Sequence, residues 1–339
     1  MSNLSKSVSR REFLGASTAA IVGTAAALSQ GDDRKPKAQI AITFDLEMSR
    51  HYPKRGMTEW DYQKGNLDGP TKQYSVDAAE VVKQLGGVIH FFCVGRTLEQ
   101  ANVDWIKTIA AAGHLIGNHT YDHVNVTAKA AAATQFRFQR SPWLVAGKTA
   151  HEVIRENIRL TSVAMKERVG IEPNGFRTPG GFSGGLVGRE DLQQMLLKLG
   201  FSWASSKYPR HQSGQPMLQP SEAIYQDIVR AQAEAQPFRY PTGLIEIPMS
   251  PISDVGAFRS KYWKLSYFLK AVESAVEWTI ENGAVFDFLC HPSCMVVEDP
   301  KFETMKLICK LVEQAGDRAE IVGLDKIAKR PMTALKKQG

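Results

Sequence analysis

The feature that most constrains how this chain can fold is alternation. Short β-rich runs at residues 38–42, 88–93, 114–116, 201–205, 244–247, 285–289 and 321–322 are separated by longer stretches of helical period at 76–85, 105–112, 149–169, 192–199, 262–280 and 302–314. Parallel neighbours need a crossover long enough to hold a helix, so this repetition predicts a mainly parallel sheet with helices outside it. A single barrel-like α/β domain is the simplest arrangement. In such barrels the chemistry collects where strands end, because the loops there vary over a rigid scaffold. Asp45, His119, Arg177 and His291 each follow or terminate a predicted strand. Two long irregular segments, 47–74 and 207–242, are expected to wall a substrate groove, with Trp60, Tyr62, Tyr208 and Tyr240 as rings for stacking on a ligand.

The N-terminus carries a different signal. Arg10-Arg11 with Phe13-Leu14 precedes an apolar run of small residues, the order of an export signal of the twin-arginine type, here residues 1–30. The run is shorter than the roughly 20 residues that span a bilayer. Residues 31–37 then read as a linker, 38–330 as the catalytic domain and 331–339 as a basic tail. The expected location is periplasmic or otherwise extracytoplasmic, with tethering to the membrane if the signal stays uncleaved; the export machinery is an expected partner. Without residues 1–29 the net charge falls from +7 to +5, and no Lys/Arg stripe with interleaved aromatics points to nucleic acid. The oligomeric state is not legible. Of the four cysteines, Cys93, Cys290, Cys294 and Cys309, three sit in apolar runs and read as buried thiols. Cys290 and Cys294 flank His291 but lack the further ligands a zinc site needs.

His119 and His123 lie four residues apart, so on one helical turn both rings can reach one cation. Imidazoles suit zinc, cobalt or nickel, and an open catalytic site needs a third ligand, commonly a carboxylate. Asp45 and Glu47, two apart at the end of the first strand, fall on one side of it. Arg177, on the Pro179-Gly180 turn, supplies a guanidinium suited to holding a carboxylate. His291 ends a late strand. Each of these alone also fits a structural ion pair or a capped strand end.

Together they resemble the NodB-like polysaccharide deacetylases, carbohydrate esterase family 4. T-F-D at 43–45, H-x3-H at 119–123, R-T-P-G at 177–180 and a late strand ending in His291 occur in that family's order. Phe91-Phe92-Cys93-Val94-Gly95 and the 113–119 approach to His119 add to the likeness, which runs over about residues 38–325. The resemblance implies a distorted (β/α) barrel with roughly seven parallel strands. It also implies one divalent metal ion, zinc first, and a glycan substrate such as peptidoglycan, a chitin-like polymer or a capsular polysaccharide. Carried over by position, it makes Asp45 the base, Arg177 the residue that orients the base, His291 the acid, and His119 and His123 metal ligands. Tyr121, Pro179, Gly180 and Trp60 are then the expected substrate contacts.

The chain departs from the family at two places. Where most members read T-F-D-D, Leu46 replaces the second Asp, which is their third metal ligand. Either Glu47 supplies that carboxylate, or the metal is lost, as in the allantoinase-like branch, which hydrolyses a small ureide amide without one. Retention of both histidines and the export signal favour the first. A non-catalytic glycan-binding protein is the third alternative. The second departure is at 201–206, where serines replace the Asp that tunes the acid histidine; Asp287, Glu246 and Asp254 are the candidates for that role, unranked by sequence.

Overall fold

The computed structural model describes residues 35–52, 54 and 64–334. The segment read as an export signal, Trp60 and Tyr62 therefore lie outside the described residues. The alternation becomes a sheet of β1 (Ala38–Leu46), β2 (Ile89–Cys93), β3 (Leu115–Asn118), β4 (Phe176–Phe182), β5 (Trp203–Lys207), β6 (Phe238–Arg239), β7 (Ile245–Glu246), β8 (Val285–Cys290), β9 (Ala319–Ile321) and β10 (Thr333–Ala334). Its order is β10-β6-β7-β5-β4-β3-β2-β1-β8, with β9 beside β1. The strands from β8 through β1, β2, β3, β4 and β5 to β7 are mutually parallel, seven in all. Among the described residues only β6 pairs antiparallel, against β7. The fold is thus α/β, a curled and mostly parallel sheet of the NodB type.

Every residue of β1 is buried, as expected of a parallel strand covered on both faces. Its alternation sorts the side chains. Ile40, Ile42, Phe44 and Leu46 pack with the helices Gly69–Gln84, Leu265–Asn282 and Glu303–Ala315 in the largest core cluster. Ala41 joins Phe92, Trp203, Ile245, Val285 and Leu324 in the cluster inside the curl. The polar residues Thr43 and Asp45 follow Ala41 on that inner side. The helix Leu265–Asn282 shows the matching pattern, burying Phe268, Ala271, Val272, Ala275, Val276 and Thr279 along one stripe.

β7 and β8 are not joined by a strand ladder. Side chains close the gap: Gln236 and Gln232 both donate to the Val285 carbonyl, and the Val285 N–H donates back to Gln236 at 2.9 Å. Farther along, the Ser250 N–H donates to the Asp287 carbonyl, and the Asp287 N–H to the Ser250 hydroxyl, each at 3.0 Å. Buried backbone groups left without a ladder are thereby satisfied. Segment 207–242 is not the continuous loop expected. It holds the helix Glu222–Gln232 and β6, whose apolar positions are masked in sequence by surrounding Gln, Pro and Ser.

Gly175 sets where β4 begins. Its φ is +79°, and a Cβ there would meet the Trp203 ring at 1.8 Å. Gly175→Ala is expected to cost about 2–4 kcal/mol, read as a lowered Tm. At Gly180, where φ is +73° but no atom stands within 4 Å of a Cβ, the same change is expected to cost only about 1 kcal/mol.

Candidate active site

The site is built on a buried cation. Arg177, from β4, has no exposed surface. One guanidinium nitrogen donates to the Thr43 hydroxyl at 2.8 Å and to Asp45 at 3.1 Å; the other reaches Asp287 on β8 at 2.6 Å. Its Nε donates to Ser205 on β5, 3.2 Å away, and its plane lies 4.4 Å from the centre of the Phe92 ring. Burial opposes the charge, but Asp287 and Asp45 raise the arginine's pKa above its usual value. A guanidinium this well paired is a fixed charge, and it orients the Asp45 carboxylate. Ser205 and Thr43 also donate to Asp287, at 3.3 and 2.7 Å.

Beyond Asp45 the chain turns tightly, the Glu47 N–H donating to the Asp45 carbonyl at 2.8 Å. Both carboxylates then face the same imidazole: His119 Nε2 lies 3.6 Å from Asp45 Oδ2 and 3.6 Å from Glu47 Oε2. His119 Nδ1 is 3.0 Å from the Arg177 carbonyl. A carbonyl can only accept, so Nδ1 carries the proton and, in the neutral ring, Nε2 presents a lone pair. His123 Nε2 lies 2.6 Å from Glu47 Oε2. Ligand atoms of Glu47, His119 and His123 all fall within 4.8 Å of one another.

The expected helical turn between the histidines is not formed. Residues 119–123 are irregular, with Thr120 at φ 60° and His123 at φ 56°. Side-chain straps hold this strained path: Asn118 accepts from the Thr120 N–H, Asn157 from the Asp122 N–H and the Thr120 hydroxyl from the Val124 N–H. The rings still converge, their centres 5.0 Å apart.

Leu46 is fully buried and points into the helix-facing core, and the carboxylate grouped with the two histidines is that of Glu47. Sequence reasoning missed its companion. Lys64, 3% exposed, donates to Glu47 Oε1. The Met48 N–H fixes the lysine's backbone by donating to its carbonyl at 2.9 Å. Burial works against the Glu47 charge, but His123 and Lys64 hold its pKa well below the usual value. Burial also pulls His123 down to about 4, leaving a neutral imidazole at neutral pH.

His291 completes the group, with Nε2 3.4 Å from Glu47 Oε1 and 3.9 Å from Asp45 Oδ2. Of the three acids that could assist it, Asp254 does so: its carboxylate lies 3.0 Å from His291 Nδ1 and accepts the His291 N–H at 3.2 Å. Asp287 serves Arg177 instead, and Glu246 accepts from the Ser206 and Tyr240 hydroxyls. Asp254 lies 37 positions before His291, in a segment without a motif, so only the fold brings them together.

The expected substrate contacts fare unevenly. Gly180 is exposed and Pro179 buried, in a bulge where β4 slips register against β5 between Arg177 and Phe182. Tyr121 is partly exposed and its phenol donates to Glu99 at 2.9 Å. Tyr240 is no stacking ring, being 2% exposed and bonded to Glu246. Tyr208 is partly buried against Ser253. All four cysteines are buried and free.

Burial lowers the His291 pKa, but Asp254 outweighs it and raises it from 6.5 to about 9. The stabilisation from this pair is therefore complete below pH 6.5 and lost as pH rises through 9, on the order of 3 kcal/mol at most. In metal-stripped Asp254→Asn the histidine should titrate well below the wild-type value. NMR titration of the imidazole checks this; an unshifted pKa would remove Asp254 from the role.

Residues 67–202 match the family model described as polysaccharide deacetylase. A peptidoglycan-N-acetylglucosamine deacetylase of Bacillus cereus is 32% identical over 91 residues, 26% of this chain, and the match spans 24% of that relative's length. A solved structure from Mycobacterium smegmatis bearing the polysaccharide deacetylase designation aligns with a TM-score of 0.55 at 16% identity, over 88% of this chain and 91% of that one. The Puue allantoinase aligns with a TM-score of 0.52 at 14% identity, over 91% and 97%. At these identities the structural likeness is one of fold. Residues 67–202 are thus similar to the polysaccharide deacetylases, and the chain as a whole shares its fold with the Mycobacterium smegmatis protein.

Proposed function

We propose that this protein is an exported, metal-dependent hydrolase that removes an acyl group, acetyl first, from the nitrogen of a sugar in a polysaccharide or peptidoglycan. One observation carries the reading. His119 Nε2 is buried without a hydrogen-bond partner and faces Glu47 Oε2 at 3.6 Å, while His123 Nε2 lies 2.6 Å from the same oxygen. Lone pairs converging in a buried site repel one another unless a cation lies among them. The donor set, two imidazole nitrogens and a carboxylate oxygen, fits zinc, with cobalt and nickel sharing the preference.

A divalent cation held there would supply Lewis-acid stabilisation for charge developing on the acyl oxygen. The protein's own groups supply the proton chemistry. Asp45, oriented by Arg177, accepts a proton from the water whose oxygen attacks the acyl carbon. His291, kept protonated at neutral pH by Asp254, gives its proton to the nitrogen as the C–N bond breaks, so the leaving group is a neutral amine. The Bacillus cereus relative is a peptidoglycan deacetylase, which supports a cell-wall glycan as substrate. Such a glycan lies outside the cytoplasm, in keeping with export through Arg10-Arg11.

Lys64 favours a second reading, a metal-independent amidohydrolase on a small ureide or formamide, because its ammonium beside Glu47 offsets that carboxylate's charge without a metal. The two readings separate in one assay. Acetate release from chitooligosaccharides and peptidoglycan is expected with zinc, cobalt or nickel, to vanish on chelation and to return with metal. Asp45→Asn is expected to lower kcat by about 10²–10⁴ with metal content unchanged. Activity that survives thorough chelation supports the second reading. No release with any metal or glycan contradicts the first.

A further inference from the structure

The two oxygens of Glu47 are used differently. Oε2 faces His123 Nε2 at 2.6 Å and His119 Nε2 at 3.6 Å, the side on which a metal would bind. Oε1 faces Lys64 Nζ and, 3.4 Å away, His291 Nε2. Lys64 is not a surface lysine that happens to reach inward. Its side chain is 4% exposed, that of Glu47 2%, and its carbonyl is tied to Met48 just beyond the end of β1. An ammonium out of water is retained only where a carboxylate compensates it, and here that carboxylate is also the acidic member of the candidate metal set.

We propose that Lys64 is a resident counter-ion to Glu47, which holds the site together in the absence of a divalent cation and opposes that cation's binding. This rests on the metal-binding reading above. Two effects of the lysine compete. By engaging Oε1 it fixes the carboxylate with Oε2 toward the histidines, which favours metal binding. By placing a positive charge on the same carboxylate, in a buried site where screening is weak, it disfavours metal binding. The second wins: His123 already lies at 2.6 Å from Oε2, so orientation has a second source, whereas an ammonium and a divalent ion sharing one buried carboxylate repel each other directly. The site therefore takes metal more weakly than Glu47, His119 and His123 would alone, and its occupancy follows the metal supply of its compartment.

The test compares full-length, metal-stripped wild type with Lys64→Met and Lys64→Arg. Zinc chloride is titrated against a chromophoric chelator, and the Tm of each metal-free protein is measured. Lys64→Met is expected to bind zinc at least about tenfold tighter than wild type, while its metal-free form melts lower because Glu47 has lost its counter-ion. Lys64→Arg keeps the charge and should stay at the wild-type affinity. A merely structural lysine would give the opposite sign, since its loss would weaken metal binding. Equal or weaker zinc binding by Lys64→Met, or an unchanged metal-free Tm, overturns the proposal. If Lys64→Met does not fold without metal, Lys64→Gln, a donor without charge, makes the same comparison. Equal zinc affinity in wild type and variants sinks this proposal alone, whereas no zinc or cobalt binding by any of them sinks the metal reading as well.

Discussion

The arrangement depends on one buried charge. Arg177 gathers Thr43 and Asp45 from β1, Ser205 from β5 and Asp287 from β8 around a guanidinium that has no exposed surface. β4 and β5 are neighbours, as are β1 and β8, but β2 and β3 separate the two pairs in the sheet order, so the interaction spans the curl of the sheet as well as setting the direction of Asp45. A buried arginine is tolerated only with its donors matched, and the serine at 205 belongs to that matching. In the same way Ser206 serves Glu246. The serines that stand where the family pattern has an acid are thus part of two satisfied buried networks, and the acid's role beside His291 passes to Asp254.

Above that floor the polar groups form a gradient from fixed to reactive charge. Asp287 and Arg177 are locked, Asp45 is held from one side, and Glu47, His119 and His123 turn their lone pairs toward a common point. His291 faces both Asp45 and Glu47 from the far side. A carboxylate and an imidazole thus flank the point where a cation would sit, and in the proposed reaction they serve as proton acceptor and donor.

Much of this was legible in the chain because it follows from periodicity. The strand–helix alternation predicted the parallel sheet, and the parity of β1 predicted that Asp45 and Glu47 would share a side. Features that depend on distant partners were not legible. Asp254 meets His291 only through packing, and Lys64 carries no motif. The closure of β8 by Gln232, Gln236 and Ser250 uses residue types common on any surface. The path between His119 and His123 was misread as helical because four-residue spacing suits a helix. Its conformation is set instead by the side chains of Asn118 and Thr120, which capture backbone N–H groups locally, and of Asn157, which reaches in from the helix Ala150–Val169.

The central claim is that Glu47 takes the place of the carboxylate lost at Leu46. Anomalous diffraction from zinc-soaked crystals tests it most directly. The account predicts one peak among Glu47, His119 and His123, with a Glu47 oxygen about 2.0–2.2 Å from the ion. A peak held by the histidines alone, with Glu47 still turned to Lys64 and outside that distance, would contradict it.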